Sequence, residues 1–161
     1  MISEIGQTRE RLLKLLTSTQ ASTKGLLSPL DPERVVHTDE RAWRVRDILG
    51  HLGVWNWEAA RSLQAYARGS EYHCVPSEGA YYDYNGPAAD ERRGWPIEQV
   101  WAEYDAAHEA LRYAVATMPD ELWDGDMLYP WNAHGTPARL IEIMMKHETS
   151  DHCALVARVV G

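Results

Sequence analysis

The stretch PIEQVWAEYDAAHEALRYAVATM, Pro96–Met118, decides what kind of fold this chain takes. Ile97, Val100, Trp101, Tyr104, His108, Leu111, Val115 and Met118 recur at spacings of three and four, the period of a helix with one buried face. Pro96 suits the first turn, where the N–H it lacks would have no partner. Three further segments repeat the signal. Over about 3–20, Ile5, Leu12, Leu13, Leu15, Leu16 and Thr19 keep helical spacing, and Gly25, Ser28, Pro29 and Pro32 break it. Over about 43–68, Val45, Ile48, Leu49, Leu52, Ala59, Leu63 and Tyr66 share one side, with Gly69 placed to end the helix. The last helix, about 136–160, opens at Thr136-Pro137, a cap followed by a first-turn proline. Residues 69–94 hold four glycines and two prolines with no sustained period. They read as a long crossover loop, and loops of this length are often functional. The expectation is an all-α, single-domain four-helix bundle over 1–161, with that loop between its second and third helices.

Composition narrows the function. The formal charge of −8 argues against an extended nucleic-acid footprint, which needs a basic face, and against an anionic membrane surface. No apolar run approaches the roughly 20 residues of a membrane span. The opening MISEIGQTRERLLKLL mixes acids and bases and lacks a signal-peptide layout. Cys74 and Cys153 form neither a CxxC nor a disulfide framework, so a reducing cytoplasm is expected. Phe is absent while Trp occurs seven times and Tyr eight, so the aromatic surface suits a wet pocket as well as a core.

The last helix carries an anomaly. Within LIEIMMKHETSDHCALVARVV, Leu140–Val160, the residues His147, Glu148, Asp151 and His152 fall inside two turns of an otherwise apolar helix. An unpaired buried ion costs several kcal/mol, so these groups are solvated, paired or bound to something. At about 100° per residue, Glu148 and His152 fall near the centre of the apolar side, and His147 and Asp151 towards its edge. Each pair is four apart, and two side chains one turn apart can bind one metal. A third ligand should come from elsewhere, and His51, on the flank of the second helix, is the candidate. Two imidazoles and a carboxylate suit zinc, nickel or ferrous iron alike. The competing reading is a hydrogen-bonded acid–imidazole cluster that merely satisfies buried polar groups.

The run WRVRDILGHL, Trp43–Leu52, resembles the second-helix motif of the DinB/YfiT-like superfamily, and the last helix is similar to that superfamily's closing metal helix. Within it, YDYN before the third helix, IEQVWAEYDAAHEAL and the following MPDELW resemble the ClbS/DfsB branch. The resemblance implies a four-helix bundle, a homodimer in many members, and a metal held by three residues, usually histidines. It places His51 at the first ligand and Glu148 and His152 at the other two; a different register places His147 and Asp151 there. Either way a carboxylate stands where histidine is commoner. Arg44 also departs from the pattern, in which a serine often caps the second helix.

Characterised relatives include metal-dependent thiol transferases, a maleylpyruvate isomerase and a resistance protein that hydrolyses an electrophilic cyclopropane. The implied function is a metal-dependent hydrolase or thiol transferase acting on an electrophilic small molecule held near Trp55, Tyr84 and His108. Glu148 and His108 are the candidates for acid–base roles. The alternative is a non-catalytic bundle that sequesters a reactive ligand, with or without metal.

Overall fold

The computed structural model describes all residues, 1–161. Its long helices are α1 (Glu4–Leu27), α2 (Val45–Ala67), α4 (Ile97–Thr117) and a final rod made of α5 (Pro137–Lys146), a π-helical turn (His147–Cys153) and α6 (Ala154–Val160). The expected four-helix bundle is therefore what forms. No helix is long and apolar enough to cross a membrane. Contacts run α1 to α4, α4 to α2, α2 to α5 and α5 back to α1, so the helices form a ring in that order. Leu12, Leu16, Leu63, Leu111, Leu140 and Ile141, all at most 1% exposed, fill one core cluster. Leu27, Leu49, Leu52, Val100, Tyr104 and Val156 fill a second.

The ends follow local chemistry. Ser3 Oγ accepts from Gly6 N at 3.0 Å at the start of α1, and Thr136 Oγ1 accepts from Arg139 N at 3.2 Å at the start of α5, with Pro137 in the first turn. Gly69 takes φ +78° directly after α2, the left-handed turn that glycine adopts without strain. At the head of α2, where a serine cap was missing from the sequence, the Asp47 carboxylate accepts from Arg44 N at 2.9 Å and from Arg44 Nε at 3.0 Å.

Three features differ from expectation. Helix α1 runs through Gly25 to Leu27, past the predicted end near residue 20, because Thr23 and Leu27 are still buried. The crossover between α2 and α4 is not structureless: it contains α3 (Tyr81–Glu91). None of the residues of α3 is buried, so it leaves no apolar period to read. Within the expected all-α fold, the stretch between α1 and α2 forms a hairpin, β1 (Val35–Thr38) with β2 (Ala42–Arg44), in which His37 stands opposite Trp43. A second small hairpin pairs β3 (Met127–Leu128) with β4 (His134–Gly135).

The α2–α4 approach depends on glycine. A Cβ on Gly53 would meet the Tyr104 backbone N and Cα at 3.3 Å, and backbone cannot move aside as a side-chain tip can. Gly53→Leu should therefore wedge α2 from α4 and lower stability by roughly 1–3 kcal/mol. In thermal unfolding that corresponds to about 2–4 °C for each kcal/mol in a chain of this size; an unchanged melting temperature would refute the close-packing account.

Candidate metal centre

Three imidazoles from two distant parts of the chain meet at one point. His51 Nε2 lies 3.1 Å from His147 Nε2, and His147 Nε2 lies 3.0 Å from His152 Nε2. One ligand atom from each of the three lies within 4.8 Å of the others. Helix α2 supplies His51, whose ring the edge of Trp43 meets at a centroid distance of 6.1 Å. The π turn supplies the other two. In a regular α-helix, residues five apart lie on different sides; in a π turn, i→i+5 bonding brings them onto one. The His147 and His152 rings accordingly sit 4.5 Å apart, centroid to centroid.

The geometry fits a metal. Nitrogens at ordinary zinc bonding distance with tetrahedral angles stand about 3.3 Å apart, close to the two separations seen. The rings also cannot satisfy one another. A neutral imidazole has a single N–H and a single ring lone pair, so the His147 Nε2 lone pair cannot serve two neighbours well. His152 Nδ1, on the far side of its ring, is buried without any partner. Burial holds all three rings below the usual histidine range. His51 is well below it, with His147 and His152 adding repulsion, and His147 is pushed down to about 3. The lone pairs that a cation needs are therefore available at neutral pH.

The structure brings together members of both registers read from the sequence, joining His51 and His152 to His147 and leaving out the carboxylates. Glu148 turns into the bundle. Its Oε2 accepts from Thr23 Oγ1 and Tyr104 Oη, each at 2.5 Å. Its Oε1 lies 2.9 Å from both Asn56 Nδ2 and His108 Nε2. Burial works to raise this carboxyl, but the hydrogen bonds, led by His108, outweigh it and leave it below the usual range. Asp151 is exposed on the cleft wall. His108 is fully buried against Glu148 and does not line the cleft beside the histidines, and neither it nor Glu148 is exposed to a substrate there. Cys153 lies on the inner side, its Sγ 3.4 Å from Thr23 Oγ1, with burial raising its thiol.

The triad opens into a cleft of about 1340 Å³. Trp55 lines it, and its indole Nε1 donates to Asn85 Oδ1 of α3 at 2.7 Å. Tyr84 does not: its hydroxyl lies 3.2 Å from buried Glu58, outside the cleft. Its neighbours Tyr81 and Tyr82 take the wall instead. Sequence reasoning missed His37, Trp43, Tyr129 and Trp131, which the two hairpins bring to the cleft. The only signal for them was the abundance of Trp and Tyr, which carries no address.

The model of the DinB superfamily matches residues 5–155. Among solved structures, an uncharacterised protein from Escherichia coli UTI89 is similar, with a TM-score of 0.77 at 15% identity, covering 96% of this chain and 93% of that one. A mycothiol-dependent maleylpyruvate isomerase is similar with a TM-score of 0.67 at 14% identity, covering 94% of this chain and 67% of the isomerase. A variant of that isomerase gives 0.69. Likeness at such identity speaks for the fold alone. The match does not single out the ClbS/DfsB branch. Comparison with curated protein sequences finds no match.

The histidines give the metal-free protein a pH signature. Unfolded His147 takes up a proton near 6.5, and folded His147 only near 3. Between those values the unfolded state binds more protons, so stability should fall as pH falls through that window. Urea unfolding of chelator-treated protein should show this slope, and His147→Asn should make it shallower, with His51 and His152 supplying what remains. An unchanged slope in the variant would remove His147 from the account.

Proposed function

The chain belongs to the DinB superfamily, and from that premise we propose that it is a metal-dependent enzyme joining a small thiol to an electrophilic molecule. The convergence of His51, His147 and His152 through their Nε2 atoms carries this reading. Three neutral imidazoles are a known catalytic zinc set that leaves a position open, and nickel or ferrous iron would also suit them. When bound, such a metal acts as a Lewis acid and lowers the pKa of a thiol or water in its open position.

The protein's own residues do the rest. Trp43 braces the His51 ring, and the Trp55–Asn85 hydrogen bond fixes one aromatic wall. Tyr81 and Tyr82 extend that wall with a flat, partly apolar surface suited to an organic reactant. The cleft favours thiol transfer over hydrolysis. Its volume of about 1340 Å³ is larger than the roughly 300–1,000 Å³ of ordinary single-ligand pockets, which supports a two-reactant reading. The isomerase among its structural neighbours is mycothiol-dependent, which agrees with a thiol as one reactant.

Metal content of tag-free protein, read by elemental mass spectrometry, tests the centre. Wild type should carry near-stoichiometric metal; His51→Ala and His147→Ala should lose it, and Asp151→Ala should keep it. Loaded wild type should then accelerate the reaction of a small thiol with chlorodinitrobenzene, and chelated protein should not. No metal after incubation with zinc, nickel and ferrous iron would sink the proposal. Tight binding of electrophiles by loaded protein, with no turnover of any, would make it a sequestering bundle instead.

A further inference from the structure

The π turn that unites His147 and His152 requires a cause. A π turn is rare, and it persists only where something holds it. At about 100° per residue, continuing the helix in α geometry would set the two histidines about 140° apart around its axis. They would then point to different sides, and the three-histidine cluster would not exist.

Glu148 lies inside this turn, next to His147, and is fully buried. It is the one side chain of the turn tied to every other long helix. Thr23 comes from α1, Asn56 from α2, and Tyr104 and His108 from α4. All four are at most 1% exposed. An ionised carboxylate accepts only, and its two oxygens take two partners each, so the set is complete. Rotating the turn back to α geometry would swing the carboxylate out of its four-partner socket and strand those groups in a dry interior.

We propose that Glu148 is a positioning residue: its four-point socket holds the π turn and thereby places His147 and His152 opposite His51. Only the consequence for metal affinity rests on the metal-enzyme reading above; the backbone claim stands apart from it. One rival cause is visible. Thr149 Oγ1 donates to the Met145 carbonyl at 2.8 Å, and such back-bonding can bend a helix.

The test combines crystal structures of metal-free variants with zinc affinity by chelator competition and cobalt absorption spectra. Glu148→Leu removes the whole socket, and Glu148→Gln retains acceptance at one oxygen. Tyr104→Phe removes a single donor and should fold even if Glu148→Leu does not. Affinity should fall about tenfold to a hundredfold in Glu148→Gln, as for loss of supporting contacts around metal ligands. Tyr104→Phe should lose less, and Glu148→Leu, if it folds, most. The cobalt spectrum should change in step. Leu63→Ala, a buried α2 change away from the site, should lose stability and leave affinity and spectrum unaltered. Thr149→Ala should keep the turn.

In the Glu148→Gln crystal structure, the His147 and His152 Nε2 atoms should stand farther apart than the 3.0 Å of the wild type. An intact π turn with that spacing preserved overturns the proposal, as does loss of the turn in Thr149→Ala alone. If wild type binds no metal, the enzyme reading fails while the crystal structures still decide the backbone claim.

Discussion

The carboxylate of Glu148 is the constraint around which the bundle is organised. An ionised group in a dry interior is tolerable only when nearly all of its acceptor capacity is used. Here that capacity is used by Thr23, Asn56, Tyr104 and His108, so α1, α2, α4 and the closing rod must all be in register at once. Apolar packing alone tolerates a helix that slides or rotates by part of a turn. Four hydrogen bonds to two oxygens do not. The network's value is thus the uniqueness it imposes more than net stability, since buried ionic groups often contribute little of the latter.

The glycine at position 53 belongs to the same chain of cause. It lets α2 and α4 approach until the Tyr104 backbone lies against α2. That approach brings Asn56 on α2 and Tyr104 and His108 on α4 to one carboxylate. A larger residue at 53 would press on the Tyr104 backbone, whose side chain donates to Glu148. Packing and site geometry are here one problem.

How much was legible follows from where each cause lies. Helices α2 and α4 were readable to within two residues because their buried faces are written locally, in apolar spacing and in Gly69 and Pro96. His51, His147 and His152 were all legible as candidates, since imidazoles on apolar helices are conspicuous. Their grouping was not. The fixed angle of an α-helix pairs Glu148 with His152 and His147 with Asp151. The partners that accompany the π turn lie 40 to 125 residues away in sequence. Helix α3 escaped for a different reason: with no buried residue and Pro87 inside it, its order comes from tethers such as Trp55–Asn85 and Arg41 to the Gly86 carbonyl. Such tethers join residues with no periodic relation.

One turn of helix therefore presents two opposite solutions to the same physical problem. On its inner side, Glu148 has all four acceptor positions filled. On its outer side, three imidazoles are held neutral by burial and pressed together with lone pairs that they cannot share, and His152 Nδ1 has no partner. The second arrangement is unfavourable by itself and would relax if the backbone let it. The first keeps the backbone from doing so. A carboxylate with every acceptor position filled, next to imidazoles whose Nε2 lone pairs are not shared out, is how this fold holds a ligand geometry ready on the side that faces the cleft.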